Sequence, residues 1–110
     1  MFGRNSESEI SVAELKERLD KGEKVFILDV REIGEYNFCN IGGHLIPLRE
    51  LPNRLEELDR ENEIVVMCHS GARSGRAVQY LRQVGFEHAK NLAGGIDRWA
   101  RDIDPNIPRY

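Results

Sequence analysis

The sequence predicts a single α/β domain in which helices flank a mainly parallel sheet in three layers. Two short apolar runs, 25–30 and 64–67, are rich in β-branched residues, which indicates strands buried on both faces. Segments with apolar residues at helical spacing alternate with such runs. This alternation favours parallel strands joined by crossover helices. At 110 residues, the chain is long enough for one domain with its own hydrophobic core.

The composition excludes several classes of function. The formal net charge of -3 argues against nucleic acid as a general partner, because phosphate binding needs a basic face. No apolar segment is long enough to span a bilayer, so no membrane partner is expected. Two cysteines without framework spacing fit a reducing compartment, and we expect a cytoplasmic monomer. Residues 1–9 are polar and are predicted to form a flexible N-terminal segment before a domain over 10–110.

The order of elements follows from apolar spacing and turn residues. A weak strand is predicted over 9–12, and Ser11 with Glu14 predicts a capping box for a helix that Gly22 closes. The remaining predicted elements are helices over 32–38 and 50–59, from 71 to 84, and from 94 past Trp99, and short strands over 45–46 and 88–92.

The turn after the apolar run 64–67 is the main candidate for chemistry. It reads Cys68-His69-Ser70-Gly71-Ala72-Arg73-Ser74 and leads into a helix. A strand, a short loop and a helix aim backbone N–H groups at one point, where Cys68 lies, and this lowers the pKa of a thiol. Three arginines and no acid occur over 68–85, whereas six carboxylates occur over 50–63. The loop is therefore predicted to suit a nucleophilic sulfur and an anionic substrate.

Two interpretations of Cys68 compete. A lone cysteine after a strand is usually a small buried hydrophobic residue. The small and polar residues that follow favour an anion-binding nest instead. Adjacent side chains in a tight loop point apart, so the neighbouring histidine is assigned to the loop and not to a general base. The predicted binding loop consists of His69, Ser70, Gly71, Ala72 and Arg73.

A charged cluster follows the first buried strand. Asp29 and Arg31 either cap the next helix and pair locally at the surface, or line the sheet edge that presents Cys68. Ligands of open parallel sheets bind at that edge. Glu35 and Tyr36 are assigned to packing and helix charge.

The second cysteine, Cys39, is interpreted as a buried structural residue. A role as a resolving thiol for Cys68 is the alternative, but no sequence feature brings the two within disulfide reach. Neither Cys39 with His44 nor Cys68 with His69 has the ligand spacing of a zinc site, so we expect no metal. The pair Gly94-Gly95 indicates close backbone approach, since a cofactor cradle needs a longer glycine-rich fingerprint, and no cofactor is expected.

Together, these segments resemble a single rhodanese domain, the fold of the thiosulfate and related sulfurtransferases, from about residue 10 to 99. The resemblance is carried by Leu28-Asp29-Val30-Arg31-Glu32 with Glu35-Tyr36, by Ile46-Pro47-Leu48, by the loop 68–74, and by Asn91-Leu92-Ala93-Gly94-Gly95-Ile96 with Trp99. It implies a five-stranded parallel sheet flanked by helices. It also implies that Cys68 carries a persulfide, formed from a sulfur donor such as thiosulfate and passed to a nucleophilic acceptor.

Residues 39–48 and 104–110 also resemble the C-terminal rhodanese domain of the molybdopterin-synthase adenylyltransferase/sulfurtransferase proteins. Those proteins hand sulfur to the C-terminus of a small ubiquitin-like sulfur carrier. The resemblance therefore implies a small sulfur donor or a cysteine desulfurase, and such a carrier, as partners. The usual pattern has Gly-His where Cys39-Asn40 stand and Ala where His44 stands, so no family role passes to His44.

Two other functions compete with sulfur transfer. Phosphatases and arsenate reductases of related fold hold an oxyanion in a loop from cysteine to arginine. Their signature encloses five residues, whereas Cys68 to Arg73 encloses four, which fits one sulfur atom better. The other alternative is a non-catalytic module that uses this fold for protein docking. Such modules typically lose the cysteine, which this chain retains.

Overall fold

The structure, a computed structural model, describes residues 8–110. This part of the chain contains five strands and four α-helices. The strands are β1 (Glu9–Ile10), β2 (Phe26–Asp29), β3 (His44–Leu45), β4 (Ile64–Met67) and β5 (Ala89–Leu92). The helices are α1 (Val12–Asp20), α2 (Ile33–Phe38), α3 (Ala72–Gln83) and α4 (Gly95–Asp102). All strand pairs are parallel, in the order β1-β5-β4-β2-β3, which confirms the predicted fold. Residues 1–7 of the predicted flexible segment lie outside the described residues.

The central strand β4 divides the core into two halves. Ile64 and Val66 pack on one face of the sheet with apolar residues of α3, and Val65 and Met67 pack on the other with residues of α1 and α4. All four side chains are buried. Successive strand residues point to opposite faces, so a strand that is covered on both sides reads as a continuous apolar run. The helices on both faces give the three predicted layers.

Helix α1 begins and ends where local signals predicted. The hydroxyl oxygen of Ser11 accepts a hydrogen bond of 3.0 Å from the Glu14 N–H, which satisfies one free donor at the helix start. Gly22, with a φ of 81°, follows the last turn and its N–H donates to Leu19. Val12 belongs to this helix and not to β1, which is shorter than predicted.

The prediction of one α-helix over 50–59 is wrong. Two short 3-10 helices, Leu48–Asn53 and Leu55–Glu57, occupy this region. Pro52 lies inside the first of them, and proline has no N–H and clashes with the carbonyl group four residues earlier in an α-helix. The segment uses tighter bonds between residues three apart, such as that from the Arg54 N–H to the Leu51 carbonyl, 3.1 Å long. Leu51 still faces the core, as its spacing predicted.

The carboxyl ends of β2 and β4 lie side by side, since Asp29 pairs with Met67. The segments that begin at Val30 and Cys68 therefore start from the same edge of the sheet. Among the described residues, no helix combines the length and the apolar character that crossing a membrane requires.

Candidate active site

Cys68 directly follows β4, and several donors surround its sulfur. The Gly71 N–H lies 3.1 Å from Sγ, and the N–H and the hydroxyl of Ser74 each lie 3.3 Å from it. The residue is only 1% exposed. A buried sulfur ringed by hydrogen-bond donors can hold negative charge, which an ordinary core cysteine has no means to do.

Gly71 shapes this ring. It precedes α3 with a φ of 109°, a conformation that glycine adopts without strain. Its carbonyl oxygen accepts from the Gly75 N–H at 3.0 Å and from Nδ2 of Asn91 at 3.1 Å. The loop is thus held to both α3 and β5, and the Ser74 N–H in the first turn of α3 points toward Cys68.

The surroundings of Cys68 act on its pKa in opposite directions. Burial raises the pKa of the thiol, because it disfavours the charged form. Hydrogen bonds from the side chain and the backbone of Ser74, and from the N–H groups of Gly71 and Ser70, lower it. The hydrogen bonds outweigh burial, so the pKa of Cys68 lies below its ordinary value. The loop therefore favours the nucleophilic thiolate.

The hydroxyl of Ser74 has two acceptors for one proton. It lies 3.3 Å from the sulfur of Cys68 and 2.6 Å from Oδ1 of Asn91. A hydroxyl group donates a single hydrogen bond and accepts others. When Cys68 is a thiol, Ser74 can donate to Asn91 and accept from the S–H group; when Cys68 is a thiolate, the proton can turn to the sulfur. Ser74 thus has a partner for each charge state of Cys68.

The start of α4 holds the loop from the other side. The Ile96 N–H donates to the Cys68 carbonyl at 2.9 Å, and the Asp97 N–H donates to the His69 carbonyl at 3.0 Å. A Cβ on Gly95 would lie 2.5 Å from both carbonyl oxygens. This confirms the prediction that the glycine pair permits close backbone approach.

Arg73 is not a free cation at the loop. Its two terminal nitrogens donate to the carboxylate of Glu35 at 2.7 and 2.9 Å. Hydrogen bonds from Arg73 lower the pKa of Glu35 to about 2. The assignment of Glu35 to packing and helix charge is therefore incomplete, because this residue of α2 is the counterion of a loop residue. Arg73 also lies close enough to Cys68 for the charges of the two groups to interact.

Asp29 and Arg31 form a fully buried ion pair. Nε and Nη2 of Arg31 donate to the Asp29 carboxylate at 2.9 and 2.6 Å, and Nη2 also donates to the Cys39 carbonyl at 2.9 Å. Both side chains are 0% exposed, which contradicts the interpretation of a local pair at the surface. Breaking such a pair from one side leaves a buried charge uncompensated. The bond to the Cys39 carbonyl ties the segment just before α2 to the residue just after it.

The ring of His69 packs against Tyr110, with the ring centroids 4.3 Å apart. Nδ1 of His69 is buried and has no hydrogen-bond partner among residues 8–110. Tyr110 also packs edge-on against Phe38, at 5.8 Å and 81°. The segment after α4 therefore lies next to the loop.

Cys39 is buried, as predicted, and its Sγ donates to the Pro108 carbonyl at 3.4 Å. Both cysteines are free thiols. Within residues 8–110, no group of three or more His, Cys, Asp or Glu side chains is arranged to hold a metal ion.

Four residues to which the sequence analysis assigned no role at the site also contact the loop or its arginine: Glu35, Ser74, Asn91 and Tyr110. Ser74 belongs to the turn quoted from the sequence, and a hydroxyl six residues after a candidate nucleophile was an available signal. Glu35 lies one helical turn after Arg31, which was a weaker signal. Asn91 and Tyr110 lie in segments that carry the family resemblance, but no local pattern indicates their contacts, which span 17 and 75 residues.

Known proteins with similar sequences are named as sulfurtransferases. The chain is 39% identical to the adenylyltransferase and sulfurtransferase MOCS3 of Arabidopsis thaliana, over 96% of this chain and 26% of that protein. It thus spans about a quarter of the length of that relative. It is 38% identical to a sulfurtransferase of Allochromatium vinosum, over 86% of this chain and 89% of that protein.

The structural comparison agrees with the sequence comparison. A rhodanese-like domain protein from Staphylococcus aureus superposes with a TM-score of 0.82 at 30% identity, over 94% of this chain and 98% of that one. The model of the rhodanese-like domain family matches residues 11–102. The parallel sheet, the cysteine loop after its central strand and these matches agree, and the chain belongs to the rhodanese-like domain family of sulfurtransferases.

Proposed function

We propose that this chain carries sulfane sulfur as a persulfide on Cys68. The sulfur comes from thiosulfate or from a protein persulfide, and a nucleophile such as cyanide, a small thiol or a sulfur-carrier protein accepts it. One observation carries the proposal: the donors of Gly71 and Ser74 converge on Sγ of Cys68 within 3.1 to 3.3 Å. Donors arranged in advance around a reacting atom stabilise charge without reorganisation.

In the first step, the Cys68 thiolate attacks the outer sulfur of thiosulfate. An S–S bond forms between Cys68 and that sulfur, and the S–S bond of thiosulfate breaks. The electron pair of the broken bond leaves with sulfite. The charge of the thiolate passes to the outer sulfur of the persulfide, where the N–H groups of the loop can stabilise it.

In the second step, the acceptor takes the outer sulfur. Cyanide attacks this atom, a C–S bond forms, and the persulfide S–S bond breaks. Its electron pair returns to Cys68 as thiolate, and thiocyanate leaves. The protein ends in its starting state, so no cofactor is consumed.

The burial of Cys68 favours slender donors and slender acceptors. A residue with 1% exposure is reached by a single terminal atom more readily than by a bulky group. Thiosulfate, a cysteine persulfide and the extended C-terminus of a carrier protein all present such an atom. The similarity to an adenylyltransferase and sulfurtransferase supports transfer to a carrier protein, and a reducing cytoplasm would keep Cys68 as a thiol.

The test is the intact mass of the protein after incubation with thiosulfate, next to the Cys68→Ser variant. We expect a gain of about one sulfur atom that cyanide removes and that the variant lacks. A gain only from a cysteine desulfurase persulfide would favour relay between proteins over thiosulfate chemistry. No gain from either donor would contradict the proposal and leave protein docking as the function to pursue.

A further inference from the structure

Tyr110 joins two ion pairs at the edge of the loop. Its hydroxyl donates to Oε2 of Glu35 at 2.9 Å and accepts from Nη1 of Arg31 at 3.0 Å. Glu35 is the counterion of Arg73, and Arg31 is the partner of Asp29. A buried ion pair and an ion pair beside the loop are thus connected through one phenol group.

The phenol of Tyr110 stays protonated and can therefore donate a hydrogen bond to Glu35. Burial raises the pKa of the phenol above its ordinary value, and the hydrogen bond from Arg31 lowers it only in part. The hydroxyl therefore keeps its proton at neutral pH. It remains a donor to the Glu35 carboxylate, whose other oxygen accepts from the Glu32 N–H at 3.0 Å.

The segment that carries Tyr110 is held in place at several points. Arg109 donates to both carboxylate oxygens of Asp97 on α4, at 2.9 and 3.1 Å. Ile107 packs on the core, and the Pro108 carbonyl accepts from Cys39. The ring of Tyr110 then lies against His69, the residue after Cys68. The position of the phenol is thus set by contacts that do not involve its hydroxyl.

We propose that Tyr110 is a positioning residue for sulfur transfer: its hydroxyl orients Glu35 and, through Glu35, holds the guanidinium of Arg73 where it attracts an anionic sulfur donor to Cys68. This inference rests on the function proposed above. Because Tyr110 shares the Glu35 carboxylate, Glu35 neutralises Arg73 less completely than it would as a free counterion. Removing the hydroxyl would leave the charge of Glu35 fully directed at Arg73. This lowers the positive potential at the loop.

The Tyr110→Phe variant isolates the hydroxyl, because the ring remains to pack on His69. The Tyr36→Phe variant is the matched control, since the Tyr36 hydroxyl donates to the Gly43 carbonyl at 3.0 Å from the same helix as Glu35. In each protein, the rate of alkylation of Cys68 is measured by peptide mapping with iodoacetate, an anion, and with iodoacetamide, which is neutral. The ratio of the two rates reports the potential at the sulfur and does not depend on any transferase activity.

We expect Tyr110→Phe to lower the iodoacetate-to-iodoacetamide ratio about three-fold, as the loss of part of one charge-assisted hydrogen bond predicts. The KM for thiosulfate should rise by a similar factor, while kcat stays within about two-fold. Tyr36→Phe should leave the ratio as it is. In the Arg73→Ala background, Tyr110→Phe should have no further effect on the ratio, because the residue through which it acts is gone.

An unchanged ratio in Tyr110→Phe would overturn the inference. An equal fall of the ratio when Tyr110→Phe is added to Arg73→Ala would also overturn it, because Tyr110 would then act by a route other than Arg73. These results are separate from those on the proposed function. A wild-type protein that forms no persulfide would overturn sulfur transfer, while the ratio would still decide whether Tyr110 controls the charge at the loop.

Discussion

Ser74 approaches the sulfur of Cys68 with two donors at once, since its N–H and its hydroxyl both lie 3.3 Å from Sγ. The N–H belongs to the first turn of α3 and survives any substitution that preserves the helix. The hydroxyl is the part of this contact that a mutation can remove. The pair therefore allows the side-chain contribution to the thiolate to be measured alone.

Replacing Ser74 with alanine should raise the pKa of Cys68, because the side chain of Ser74 is the largest of the hydrogen-bonding causes that lower it. A hydrogen bond to a charged group stabilises it by about 1.5–3 kcal/mol, so the rise in the pKa of Cys68 should be measurable. The rate of Cys68 alkylation by iodoacetamide as a function of pH would report this midpoint. A midpoint equal to that of the wild type would mean that the backbone donors alone set the charge state.

Gly95→Ala should destabilise the protein. The new Cβ would lie 2.5 Å from the carbonyl oxygens of Cys68 and His69, and the φ of 61° is strained for alanine. We expect the free energy of unfolding to fall by about 2 kcal/mol or more, with a matching loss of persulfide formation.

The matched control for this variant is Gly34→Ala. Gly34 lies in α2, and a Cβ there meets nothing within 4 Å. Alanine favours a helix over glycine by about 1 kcal/mol, so stability should hold or rise. Urea unfolding of both variants is the measurement. Equal stability in the two would contradict the close packing of α4 on the loop.

The pair of Glu35 with Arg73 should contribute a pH-dependent part of the stability. The pKa of Glu35 falls from 4.5 to about 2 on folding. A carboxylate with a lowered pKa stabilises the folded state above pH 4.5, and this contribution disappears as the pH falls toward 2. The shift corresponds to about 3 kcal/mol at most, which solvent around a partly exposed pair reduces.

The Glu35→Gln variant tests this contribution. Its free energy of unfolding should lie about 2 kcal/mol below that of the wild type at neutral pH, and the gap should close in acid. Urea unfolding at a series of pH values would measure the gap. Glu56→Gln is the control, because Glu56 is exposed and makes no hydrogen bond or ion pair with the residues that the structure describes. A gap for Glu35→Gln that stayed constant with pH would rule out the ion pair as its cause.

Cys39→Ala should retain persulfide formation. Cys39 is 8% exposed and its sulfur contacts the Pro108 carbonyl, so its role in the structure is packing. The small cavity should cost about 1 kcal/mol in the free energy of unfolding. Intact mass after thiosulfate treatment would still increase by about one sulfur atom. A mass gain that is larger or longer-lived in Cys39→Ala than in the wild type would support the resolving thiol instead, because such a thiol attacks the persulfide, forms a disulfide with Cys68 and releases the outer sulfur as sulfide.

Two of the sequence-based predictions differ from the structure. One differs because of a residue within the segment itself, and the other because of a contact with a residue far along the chain. We predicted an α-helix over 50–59 from the spacing of its leucines and overlooked Pro52, although this proline lies within the segment. The pairing of Glu35 with Arg73 is different, since the two residues are 38 positions apart. Both sit in helical patterns in which a charged residue is ordinarily assumed to face solvent. Only the approach of α2 to the start of α3 turns them into partners.

The sequence by itself determined the order of the strands and helices, the parallel sheet and the position of Cys68 at the start of a donor-rich turn. These features depend on the spacing of apolar residues along the chain and on the glycine and capping residues at the ends of each element. All of these signals lie within a few positions of one another. The tertiary structure alone decided which charges surround that turn: the burial of Asp29 with Arg31, the neutralisation of Arg73, and the placement of Tyr110 beside His69. Such contacts join residues that only the packing of separate elements brings together, and no local pattern encodes their distances.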